Sequence, residues 1–208
     1  MPFETWLAFT AAAAVLLVIP GPTILLVVSY ALGQGWRTAL PMAAGVALGD
    51  FTAMTLSLLG LGALMAASAT VFTLLKWAGA AYLVWLGVKL WRAGASLDVA
   101  PRKDAASSLR MLGHAWLVTA LNPKSLVFFV AFLPQFIDPK LAFLPQVSLC
   151  AATFLILAFA NAFAYALVAA RARRAVRDPR TIGFVNKAGG SLLIGAGIAT
   201  VALRAGQS

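Results

Sequence analysis

The sequence predicts an all-α membrane protein whose six transmembrane helices form two inverted three-helix repeats, with helices one and four broken at mid-membrane. Three observations lead there. First, 62% of the 208 residues are hydrophobic and only 11% are charged, with a mean hydropathy of +0.92, whereas soluble domains are roughly 45–50% apolar and about 25% charged. Second, the apolar residues gather into six runs near the length of about 20 residues that crosses a bilayer. Third, two of those runs carry proline motifs near their middles, half a chain apart.

The runs lie near 5–31, 39–66, 70–91, 115–137, 142–170 and 188–205. Span one is expected to be retained rather than cleaved. Glu4 is the only charge before Arg37, so the positive n-region of a signal peptide is missing, as is a small-residue cleavage site after a short apolar core. Gly33 to Arg37 connects it to span two, and an uncharged, tight connection at 66–70 leads into span three. A polar stretch from Arg92 to Arg110 precedes span four, Asp138-Pro139-Lys140 precedes span five, and a basic stretch from Arg171 to Lys187 precedes span six. The expected organisation is a single transmembrane domain over 1–208. Repeats at 1–91 and 115–208 are joined by a cytoplasmic linker at 92–114.

Lys and Arg number 16 against 6 Asp and Glu, a net charge of +10. In a soluble chain this would suggest nucleic-acid binding; here its distribution reports topology. The connections after spans one, three and five hold twelve cations, from Arg37 through Arg102 and Arg110 to Arg173 and Lys187. The opposite side holds three, Lys76, Lys140 and Arg204. Cationic loops stay cytoplasmic, which places both termini outside and leaves no call for a nucleic-acid partner. Trp6, Trp36, Trp77, Trp91 and Trp116 fall near expected span ends, where an indole keeps its N–H in water and its ring in lipid. Trp85 is the exception.

Span one is interrupted by Pro20-Gly21-Pro22 and span four by Asn122-Pro123-Lys124. Proline breaks or kinks a helix interior but suits the first residue of a new helix. Asn122 therefore reads as N-cap and Pro123 as first residue of a second half-helix, with Gly21 and Pro22 the same pair in span one. Pro22 and Pro123 stand 101 residues apart, and each repeat holds an odd number of spans, three, so the two would have opposite orientation. The two half-helix starts would then meet near the midplane with bare backbone N–H groups. Such groups are tolerated at membrane depth only around a polar cavity, and a carboxylate fits there. The plainer alternative is that the prolines only kink packed helices.

Asp50 lies about 11 residues into span two, roughly 16 Å along a helix, and Lys124 is also near mid-depth. A charge at that depth costs at least about 2.5–3.5 kcal/mol, so each needs a partner or water. One reading is a structural Asp50–Lys124 ion pair. The other gives Asp50 a transport role, alternately holding a proton and a substrate ammonium, while Lys124 and the half-helix starts attract the carboxylate. Asn161 in span five is the other inward polar candidate, and Thr23, next to Pro22, joins the first break. Gly45 and Gly49 form a small-residue stripe beside Asp50 that reads first as close helix packing. Gly189, Gly190, Gly195 and Gly197 slim span six in the same way.

These residues together resemble the LysE/RhtB family of amino-acid exporters, over nearly the whole chain. The resemblance is carried by Ile19-Pro20-Gly21-Pro22, Gly49-Asp50, the run from Leu75-Lys76-Trp77-Ala78-Gly79 to Gly87-Val88-Lys89, Leu121-Asn122-Pro123-Lys124, and Asn186-Lys187-Ala188-Gly189-Gly190 with Leu193-Ile194-Gly195-Ala196-Gly197. It implies a bacterial inner-membrane secondary transporter that exports a small amino acid, such as threonine, homoserine or a branched-chain residue, by proton exchange. It also implies a homo-oligomer. The residues it marks for transport are Pro20, Gly21, Pro22, Asp50, Asn122, Pro123 and Lys124.

Other classes fare worse. Cys150 is the sole cysteine, which excludes a disulfide framework, a CxxC redox pair and a cysteine metal site within one chain, and leaves a thiol-electron carrier without its dithiol. A membrane hydrolase would need a constellation of His, Ser or carboxylate groups, and only Asp50 is well placed. A divalent-metal exporter would need clustered ligands, and His114 is the only histidine. The expectation is therefore no enzyme activity, no cofactor and no metal.

Overall fold

The computed structural model of the chain describes residues 1–67 and 106–171 without a gap, together with isolated helical positions between 74 and 92 and between 183 and 198. Among these residues there is no strand. Spans three and six, the 66–70 connection, the glycine stripe of span six and the repeat symmetry fall largely or wholly outside the described residues.

Helix α1 runs Phe3–Val18, with Glu4 in its first turn, where a carboxylate suits the positive end of the helix dipole. It stops because Ile19 precedes Pro20, and the proline ring drives the preceding residue out of the helical region; Ile19 is extended, with φ −68° and ψ 118°. Gly21 is extended too, and α2 restarts with Pro22 as first residue and continues to Gln34. The axis turns by 53° between the two halves. Gly35 ends α2 with φ +80°, its N–H bonded to the Ala31 carbonyl at 2.9 Å. Only glycine takes that left-handed backbone without strain. A 3₁₀ turn over Trp36–Thr38 leads into α3, Ala39–Ala67.

The second half opens with Ser107, whose hydroxyl accepts from the Arg110 amide, and α4 follows over Ser108–Ala120. This corrects the expected start of span four near residue 115. The helix begins where serine caps the Arg110 amide in its first turn, not where the polar residues end. Trp116 is accordingly not at a span end. It lies well inside α4, and its indole donates to the Thr52 hydroxyl at 3.1 Å. The chain breaks again at Leu121 and Asn122. Pro123 then opens α5, Pro123–Val127, which widens into a π turn over Phe128–Phe132 and tightens into a 3₁₀ turn over Leu133–Phe136. The bend here is 45°. Gln146 ties the following connection, accepting from the Asp138 amide and donating to the Asp138 and Ala142 carbonyls. The last continuous element is α6, Phe143–Arg171.

Among the described residues, two helices, over Trp36–Gly60 and Phe143–Arg171, are long and apolar enough to cross a membrane, and the spans number four if each bent pair is one. α3 packs chiefly against α4 and α6, and α1 and α2 lie along α6. α6 allows this with a buried stripe every fourth residue, through Cys150, Phe154, Ala158, Ala162 and Ala166. Small side chains at that spacing let helices approach closely. Phe9, Phe128, Phe129 and Phe154 fill the core beside the second break. The outer faces of α3 and α6 carry exposed Leu40, Phe51, Leu59, Leu144 and Ile156, the reverse of a water-facing surface.

Candidate functional site

The two breaks meet inside the bundle. Asn122 works in both directions. Its side-chain oxygen accepts from the Lys124 amide at 3.0 Å, capping its own helix, while its Nδ2 donates across to the Thr23 hydroxyl at 3.0 Å. Thr119, one turn before the break, also donates to Thr23, at 3.2 Å. Thr23, Thr119 and Asn122 are all buried, so a small polar cluster joins the start of α2 to the end of α4.

Lys124 is buried as well, and its ammonium donates to the carbonyls of Leu16 at 2.9 Å and Ile19 at 2.8 Å. Asn161 donates to the Leu17 carbonyl at 2.9 Å and the Tyr165 hydroxyl to the Val18 carbonyl at 2.7 Å. A helix ends with four carbonyls that have no partner within it. Here four consecutive carbonyls at the end of α1, from Leu16 to Ile19, are met by three side chains from two other elements.

Asp50 sits on α3, directly after Gly49, and is 1% exposed. Its side chain faces Ser125 and feels the charge of Lys124 through space. Its Oδ1 has no hydrogen-bond partner. The approach that brings it there depends on the small-residue stripe. A Cβ on Gly49 would stand 2.6 Å from the Thr119 Cβ and 2.7 Å from the Trp116 carbonyl oxygen, and one on Gly45 would collide with the Leu112 carbonyl. The stripe therefore serves close helix packing, and α3 could not lie this near α4 with side chains at those positions.

Of the residues singled out from the sequence, Gly21, Thr23, Asp50, Asn122 and Lys124 converge. Pro20 is buried within the first break, and Gly21 lies against the end of the Lys124 side chain. Pro22 and Pro123 are exposed and open the half-helices that follow the two breaks. Asn161 reaches the group from α6 through the end of α1. Of the two readings of Asp50 and Lys124, the direct ion pair is not formed, since the ammonium's hydrogen bonds go to backbone carbonyls. Thr119, Ser125 and Tyr165 belong to the site without having been singled out. Tyr165 had a readable signal, being four residues after Asn161 and so on the same helix face. His114, the sole histidine, is paired elsewhere, 3.1 Å from the Tyr30 hydroxyl through Nδ1. Among the described residues, no three His, Cys, Asp or Glu side chains are grouped to hold a metal ion.

Known proteins resemble the chain along its length. It is 38% identical to an uncharacterized membrane protein of Vibrio cholerae, over 95% of this chain and 97% of that one. It is 35% identical to the homoserine/homoserine lactone efflux protein of Salmonella typhimurium, over 96% and 98%. It is 30% identical to the leucine efflux protein of Klebsiella pneumoniae, over 86% and 90%. No solved structure matches. The LysE type translocator model matches residues 14–203, and the chain belongs to that family.

Proposed function

We propose that this protein is a secondary transporter that exports a small amino acid, of the threonine/homoserine or branched-chain type, across the bacterial inner membrane in exchange for protons. The observation that carries the reading is Asp50, a carboxyl 1% exposed in an apolar bundle, beside Ser125 and Lys124 at the second helix break and with one oxygen unpartnered. An unmet acceptor at that depth is costly unless something occupies it part of the time. A proton and a substrate ammonium are the two occupants that would alternate there. The relatives named for homoserine and leucine efflux support an amino acid as cargo, and efflux proteins move their substrate without catalysing a reaction on it.

In this reading the substrate ammonium sits at Asp50, and its carboxylate lies towards the half-helix starts at Thr23 and Ser125, whose early amides precede the first intrahelical bonds. Pro20, Gly21, Pro22 and Pro123 hold the breaks open. Thr23, Asn122 and Asn161 supply the polar lining, and Lys124 sets the local positive charge. The protein crosses the lipid bilayer as six spans in two inverted repeats with both termini outside, works as a homo-oligomer, and alternates access by rocking one repeat against the other.

Proteoliposomes loaded with radiolabelled homoserine, threonine or leucine test this. Efflux of at least one should accelerate when an inward proton gradient is imposed. Asp50→Asn should elute as folded protein and lose the response to the gradient. Gradient-driven flux that survives this substitution would remove Asp50 from the mechanism.

A further inference from the structure

The end of α1 has the makings of a cation site. A helix C-terminus carries partial negative charge on its free carbonyls, and unwound carbonyls at broken transmembrane helices are suited to coordinating small cations. The Leu16 and Ile19 carbonyl oxygens converge on one point, since a single nitrogen, Lys124 Nζ, lies within 2.9 Å of both. Asp50, on the neighbouring α3, is buried close to the same lysine. Gly21 closes over this point, since a Cβ there would be in van der Waals contact with Lys124 Cε and Nζ, 3.5 Å from each. The lysine reaches this point from the other half of the chain, from a position more than one hundred residues away.

We propose that the first helix break is a binding site for a primary ammonium, permanently filled by Lys124 as a tethered cation, and that Lys124 is a positioning residue for the break and makes no contact with the exported substrate. A lysine ammonium has three N–H donors; two are spent on the carbonyls. The hydrogen bonds give the site a preference for a donor-bearing cation over one that offers charge alone. Emptying it by truncation leaves a place that an external primary amine of similar head can occupy. The geometry of the break, and through it the position of Thr23 and of the Asn122 contact, then depends on whether that place is filled.

Lys124→Ala in detergent, titrated with ethylammonium chloride and separately with tetramethylammonium chloride, tests the site without any transport assay. Ethylammonium should raise the unfolding midpoint of Lys124→Ala by several degrees in a saturable manner, while tetramethylammonium, which has no N–H, should not. Wild type, whose site is filled, should respond to neither. An equal response to both salts, an equal response of wild type, or no response of Lys124→Ala to ethylammonium overturns the proposal. If Lys124→Ala gives no folded protein, recovery is scored instead. Cells grown and extracted with ethylammonium should yield it and those with tetramethylammonium should not; no recovery with either overturns the proposal. In proteoliposomes, ethylammonium should restore the maximal flux of Lys124→Ala towards wild type with the substrate KM unchanged, which a rise in stability alone would not do. A KM that changes several-fold on truncation and is restored by the amine would place Lys124 on the substrate and overturn its positioning role. Absence of flux from wild type would defeat the transport reading and leave the thermal result to decide the site.

Discussion

The two breaks look alike in sequence and are held in different ways. The second closes itself. Leu121 N–H bonds to the Leu117 carbonyl, Asn122 N–H to that of Thr119, and the Asn122 side chain caps the helix that follows. The first has no side-chain cap at Gly21, and its four trailing carbonyls are met by Lys124, Asn161 and Tyr165 from outside. One break is encoded by its neighbours in sequence and the other by tertiary contacts. Structure that depends on a few long-range contacts is the more easily altered, so the shape of the first break should respond to substitutions elsewhere in the bundle more than that of the second.

The largest difference should come from removing Lys124. Lys124→Ala deletes two charge-assisted hydrogen bonds and strips the Leu16 and Ile19 carbonyls of their partner, at a cost of about 3–6 kcal/mol. Asn122→Ala deletes one cap and one bond to Thr23, about 1–3 kcal/mol. Unfolding midpoints in the same detergent should rank the variants in that order. Asn122→Ser sharpens the comparison, because serine keeps the local cap and is too short to span to Thr23. It should recover roughly half of the Asn122→Ala loss. Full recovery would mean that the link between the breaks contributes nothing, and the reverse ranking would mean that the second break, not the first, depends on its surroundings.

Legibility in the sequence follows the same division. Both breaks could be read from Pro20-Gly21-Pro22 and Asn122-Pro123, because proline acts on the residues beside it. Asp50 and Lys124 stood out because charge is rare in an apolar run. Their relation was not legible. Opposite charges suggest a pair, yet the carbonyls at the end of α1 are also negative, and they become available only once the break has its three-dimensional form. Thr119 and Ser125 were indistinguishable from the other hydroxyls of an apolar helix, which commonly bond back to their own turn, as Thr52 and Thr55 do with the Leu48 and Phe51 carbonyls. The start of α4 is hidden because Arg110 marks the stretch as linker, whereas Ser107 caps the Arg110 amide itself.

The smallest effect expected is at Tyr165, and it bears on how the end of α1 shares its load. Tyr165→Phe removes one hydroxyl and leaves the ring's packing intact, so only the bond to the Val18 carbonyl is lost. Val18 is 54% exposed, at the outer edge of the break. The cost should be about 0.5–1.5 kcal/mol, below that of Asn122→Ala. Because Tyr165 and Asn161 stand on one face of α6 and grip adjacent carbonyls, Asn161→Ala and Tyr165→Phe should not be additive when combined. A double variant that loses more than the sum would show that either side chain alone can hold the end of α1 against α6. Strict additivity would show two independent bonds, each holding its own carbonyl.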